Sequence, residues 1–147
     1  MSAATYRLPA EEPYGKVKIP DRWKTQTHEE FIETTSPDRA ARVLVVAVEG
    51  RKVQEAMGEA LRYIRRAGTL VINAQSIKKE QTEIKNRPVQ TVSWDGTEGG
   101  RPIKIRCCPV QTAEGNWLLF VFWGTAAAEK KNQAALEKII GSIGPAG

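Results

Sequence analysis

The chain has 147 residues, a net charge of +5 and a pI near 9.4, with 41% apolar and 27% charged residues. That is one domain's worth of sequence, able to bury roughly 70% of its unfolded surface without staples. The longest apolar run, WLLFVFW at 117–123, falls far short of the about 20 residues a spanning helix needs, and two cysteines give no disulfide framework.

In chain order, residues 1–15 contain two prolines and a Glu-Glu pair and read as a partly ordered arm; residues 16–147 read as the folded domain. The arm has no basic-then-apolar leader pattern and no cysteine. As it stands the sequence reads as cytoplasmic, or as extracytoplasmic if a leader precedes it. KVKIP (16–20) alternates into a short strand stopped by Pro20, and Trp23 follows directly after a turn. FIETT (31–35) is strand-like and SPDRAA (36–41) is a turn signal. RVLVVAV (42–48) is a continuous β-branched run, expected to be a strand buried on both faces.

The spacing predicts a helix over 51–68. Val53, Ala56, Met57, Ala60, Leu61 and Ile64 form one stripe, with Gly50 before it and Gly68 as its C′ residue. Gly58 falls on its polar side with no packing reason. Extended segments follow: LVINAQSI (70–77) leading into polar KKEQTEI, then RPVQTVSW (87–94), PIKIRCCPV (102–110) and WLLFVFW. Loops DGTEGG and QTAEGN are short enough to make 87–123 an antiparallel meander. A second helix is predicted from Ala128, Ala135, Leu136, Ile139 and Ile143, with Thr125 as N-cap and Glu129 in the first turn. Strands, helix, antiparallel strands and helix in that order predict an α+β fold, with helices covering a sheet that is apolar on both faces.

Adjacent Cys107 and Cys108 are the chain's only cysteines. Strand alternation sets Ile103, Ile105 and Cys107 on one face and Lys104, Arg106 and Cys108 on the other. Cys107 is then a core residue, and Cys108 lies nearer the surface, where Arg106 can lower its pKa. A bridge between neighbouring strand residues is strained, and two cysteines with one histidine are too few for zinc. A thiol enzyme would need Cys108 beside His28, which sits in polar QTHEE and is expected to face water. Serine-hydrolase, phosphate-loop and calcium-loop patterns are absent, and no cofactor is expected. Basic residues group at Lys16, Lys18, Arg22 and Lys24, at Lys78 and Lys79, and at Lys85, Arg87, Lys104 and Arg106. Interleaved glutamates and the lack of an RNA-recognition aromatic motif favour a solvated basic face over a nucleic-acid site.

KVKIPDRWKTQ, TEIKNRPVQTVSW and LEKIIGSI together resemble the PsbP-like family across residues 16–143. Asn86 stands where that family often has glycine, and asparagine tolerates the left-handed turn. The resemblance implies a single-domain α/β/α sandwich, with an antiparallel sheet of about six strands flanked by helices. Its members are mostly non-enzymatic: they dock on photosystem subunits, bind a small GTPase, serve as bacterial lipoproteins, or act as chaperones for secretion effectors. The C-terminal half is also similar to accessory domains preceding bacterial serine hydrolases. The function it implies is protein–protein docking with an unidentified protein partner, and a chaperone role would call for a concave apolar groove. Trp23, Lys104, Arg106 and Cys108 are the candidate surface contacts. A thiol-dependent activity at Cys108 and nucleic-acid binding stand as the alternatives.

Overall fold

The structure, a computed structural model, describes residues 2–66 and 69–147. The elements in chain order are β1 (Ala3–Leu8), β2 (Gly15–Pro20), β3 (Lys24–Thr27), β4 (Phe31–Thr35), β5 (Arg42–Glu49), α1 (Val53–Arg66), β6 (Leu70–Ile84), β7 (Arg87–Glu98), β8 (Arg101–Ala113), β9 (Asn116–Gly124), α2 (Ala126–Gly141) and the two-residue β10 (Gly144–Pro145). A 3₁₀ turn at Gly50–Lys52 leads into α1.

Seven strands form the main antiparallel sheet in the order β3-β4-β5-β9-β8-β7-β6, and β1-β2-β10 form a second, small sheet. The fold is therefore α+β with a seven-stranded rather than six-stranded central sheet. Strands β5 and β9 lie inside it and are apolar on both sides, which forces cover on both sides. Val43, Val45, Leu118, Phe120 and Phe122 pack under α2 and the small sheet, with Leu136, Ile139 and Ile143. Leu44, Leu119, Val121 and Trp123 pack under α1, against Met57, Ala60 and Ile64. The predicted stripe of the first helix is the face that α1 buries. Its expected C′ residue, Gly68, lies outside the described residues.

Three segments differ from the sequence reading. The arm carries a strand: β1 pairs along β2 from Ala3↔Pro20 to Leu8↔Gly15, and Leu8 is buried in the core. Polar KKEQTEI, given no element by its pattern, is the second half of β6, paired with β7 from Lys78↔Ser93 to Ile84↔Arg87. The meander thus has four strands. As the sheet's edge, this part of β6 exposes most of its side chains and shows no apolar alternation, while its backbone is still held by β7. The loops also shrink. Gly99 and Gly100, at φ +57° and +82°, make the β7–β8 turn, and Asp95–Glu98 belong to β7. Lys85 and Asn86, at φ 50° and 64°, close the β6–β7 hairpin, where the left-handed tolerance of asparagine is used.

Candidate functional site

The even-numbered residues at the end of β6, Glu80, Thr82 and Ile84, share a sheet face with Thr91 of β7, Arg106 and Cys108 of β8, and Phe120 and Phe122 of β9. Helix α2 crosses this face without filling it. A groove of about 330 Å³ remains. Its floor is Thr91, Cys108, Phe120, Phe122 and Ile84; one wall is Glu129, Gln133 and Leu136 of α2; Glu80, Thr82, Lys130 and Glu137 form the rim.

Sequence fixes this wall locally. Thr125 accepts a hydrogen bond from the Ala128 amide at 3.0 Å, starting α2 at Ala126. Glu129, one turn in, then reaches across to Arg106, whose Nη2 donates to Oε1 at 2.9 Å in a bidentate pair. The carboxylate holds the Arg106 guanidinium above its ordinary pKa. The pair closes one end of the groove.

Of the four candidate contacts, two have no surface to offer. Cys108, expected nearer the solvent, is 3% exposed because α2 lies over it. Trp23 is 6% exposed: its amide donates to the Pro20 carbonyl, and this tight turn swings the indole back into the core. Lys104 and Arg106 are half-exposed, but each is engaged by a carboxylate, Asp95 and Glu129 respectively. The basic group around them is not a free patch. Arg87 spends its guanidinium on the Ile140 and Ile143 carbonyls, and the Lys85 stem lies over Gly141.

The chemistry of the thiols follows from burial. Burial pushes the Cys108 thiol up; a hydrogen-bonding contact with Thr91 Oγ1 at 3.4 Å and the charge of Arg106 oppose this without reversing it. Cys107, on the opposite face, is pushed up further by the same cause. His28 is exposed and stacks on Phe31, with ring centroids 4.2 Å apart, on the α1 side of the sheet. Cys108 opens to the α2 side. The Cys–His pair that a thiol nucleophile would need is therefore not assembled. Among the described residues no three His, Cys, Asp or Glu side chains are grouped to hold a metal ion, and no helix is long and apolar enough to cross a membrane.

Thr91, Glu129, Gln133 and Leu136 escaped the sequence reading. Leu136 was visible only as a core residue and Glu129 only as a first-turn acid. Their convergence needed the register of β6, β7 and β8.

No family model matches the sequence, and no curated protein matches it. Solved structures do. A protein from Bacteroides thetaiotaomicron VPI-5482 matches with a TM-score of 0.63 at 14% identity over 97% of this chain and 48% of that one. This chain thus spans about half of that protein's length. Cyanobacterial PsbP (CyanoP) from Synechocystis sp. PCC 6803 matches with a TM-score of 0.56 at 11% identity, over 97% and 93% of the two chains. The Ran-binding protein Mog1p of Saccharomyces cerevisiae matches with a TM-score of 0.50 at 6% identity, over 97% and 95%. At these identities the likeness is one of architecture: this chain has the PsbP-like fold.

Proposed function

We propose that this chain is a non-catalytic docking module of the PsbP-like type, which seats anchor side chains of a partner protein in the groove between α2 and the sheet. The observation that carries the reading is the make-up of that groove. Its one thiol, Cys108, is buried and held above its ordinary pKa, no histidine lies in the lining to activate it or the hydroxyls of Thr82 and Thr91, and the floor is mostly apolar under a polar rim. Such a surface recognises shape and apolar anchors rather than turning over a substrate. The likeness to Mog1p, itself a Ran-binding protein, supports a protein as the kind of partner.

The groove limits what is held. A helix 10–12 Å across fills on the order of 100 Å³ per ångström of length. The groove's volume of about 330 Å³ therefore suits a few side chains from a partner segment, not a whole enclosed helix. A chaperone-like role in bacterial secretion or the envelope is compatible with this if the partner offers one apolar face.

The test is a binding comparison. A protein captured by the intact chain is purified, and its affinity is measured by calorimetry for the wild type and for Gln133→Trp, which fills the groove mouth from an exposed position. At least about tenfold weaker binding by the variant is expected. Equal affinity would move the docking surface elsewhere. A turnover by the purified chain that Cys108→Ala abolishes would overturn the non-catalytic reading.

A further inference from the structure

Strand β6 is an open edge. It is 15 residues long and, among the described residues, has β7 as its only sheet neighbour. The opposite edge, β3, is only four residues long and so is blunted by its length. Edges of the β6 kind are commonly protected by charge, and β6 carries Lys78, Lys79, Glu80 and Glu83. Here, however, the charges are of both signs, and their order matters.

The hairpin fixes which backbone groups are free. Lys85 and Asn86 form a two-residue turn, so Ile84 and Arg87 are its closing hydrogen-bonded pair. The register then runs without a shift from Ile84 back to Lys78. By alternation, Thr82, Glu80 and Lys78 aim their N–H and C=O groups at β7, and Glu83, Gln81 and Lys79 aim theirs outward. An incoming antiparallel strand must bond to those three. We infer that this edge pairs with the same edge of a second copy of this chain, antiparallel, with the two-fold axis at Gln81.

In that register Lys79 faces Glu83 of the second copy and Glu83 faces its Lys79. Gln81 faces Gln81, and Glu80 faces Thr82. About six backbone hydrogen bonds form, and both directly opposed charge pairs are attractive. The other registers centred between Lys79 and Glu83 oppose like charges. An axis at Lys79 or Glu83 sets that residue against itself, an axis at Glu80 sets glutamate against glutamate, and an axis at Thr82 sets Lys79 against Lys85. The sequence KEQTE between 79 and 83 is self-complementary in one register only. Lys79, Gln81 and Glu83 are all exposed in the single chain, so no core contact is broken to make the pairing. Because the axis is perpendicular to the sheet, both copies turn their α2 grooves to the same side.

Sedimentation of the full chain from about 1 µM to 1 mM tests this, with Lys79→Glu, Glu83→Lys and the double exchange as variants. A reversible dimer is expected. Each single reversal should raise its dissociation constant at least about tenfold by opposing like charges at both symmetric positions, and the double exchange should restore it. Gln81→Pro, which removes an outward N–H on the axis, should weaken it as well, with an unchanged circular dichroism spectrum. Gln133→Trp should leave it unaffected, which separates this pairing from the groove reading. A chain that stays monomeric to 1 mM would overturn the inference, as would a dimer indifferent to the single reversals or not restored by the exchange.

Discussion

Arg87, the first residue of β7, donates Nη1–H to the Ile143 carbonyl at 2.8 Å, and its Nη2–H reaches the Ile140 carbonyl at 3.1 Å. The last carbonyls of a helix have no partner within it, and the helix dipole places partial negative charge there. A cation from the neighbouring hairpin therefore ties the end of α2 to the sheet that α2 covers. Arg87→Ala should cost about 2 kcal/mol in urea unfolding, the scale of hydrogen bonds from a charged donor. That corresponds to a Tm lower by roughly 6 °C. Arg87→Lys keeps the charge but not the forked geometry, and should recover only part of the loss.

The buried thiols should make stability fall at alkaline pH. In the unfolded chain Cys107 and Cys108 lose their protons near pH 9; burial holds both thiols protonated to higher pH in the folded chain. Above pH 9 the unfolded state then binds fewer protons than the folded one, so stability is full below that pH and is lost as pH rises. The slope is about 1.4 kcal/mol per pH unit for each thiol. Tyr63, whose hydroxyl donates to Glu33 at 2.6 Å and is pushed up to about 12, steepens the fall above pH 10. The Cys107→Ala, Cys108→Ala double variant should be less stable at pH 7 because it leaves cavities, yet show a flatter decline between pH 9 and 10.5. Urea titrations at fixed pH steps read both effects.

Residues whose environment repeats with the local period were legible in the sequence. Met57, Ala60 and Ile64 face the sheet because helical spacing puts them on one side, and Leu118 to Trp123 are buried because both faces of an inner strand must be apolar. The assignment of Cys107 to one face and Cys108 to the other also follows from alternation alone. The depth of Cys108 does not: it depends on α2, which arrives from 18 residues downstream, and nothing in IRCCPV encodes that cover. Trp23 was misplaced for a different reason: its burial hangs on the tight turn from Pro20, whose direction DRWKTQ does not reveal. The second half of strand β6 was hidden because an edge strand is specified by its backbone partner and not by its side chains.

Ser142 gives the IIGSIG segment a physical reading. Its Oγ accepts from the Lys18 amide at 2.8 Å and donates to the Ile139 carbonyl at 2.7 Å. One hydroxyl thus satisfies a backbone donor of β2 and a terminal carbonyl of α2, joining the small sheet to the helix just before β10 pairs with β2 at Gly144↔Lys16. Ser142→Ala should cost about 1 kcal/mol. Hydrogen exchange distinguishes this bridge from a general loosening: the Lys18 amide should lose protection, while amides inside β9 keep theirs.

Gly58 is the one residue of α1 that works against its helix. It lies mid-helix on the side away from the buried stripe, and a Cβ there would meet only Arg62 Nη1, at 3.6 Å, an ordinary contact with the tip of a flexible side chain. Glycine at such a site loses more backbone entropy on folding than alanine does, by about 0.5–1 kcal/mol. Gly58→Ala should therefore stabilise the chain by that amount and raise Tm by roughly 2–3 °C. Ala60→Gly, two positions along on the buried side, should lower it by more, since it adds lost packing against the sheet to the same entropic term. Calorimetric melting of the two variants measures both signs in one experiment. If Gly58→Ala failed to stabilise, the bare backbone at that point would be serving a contact on the outer face of α1 instead.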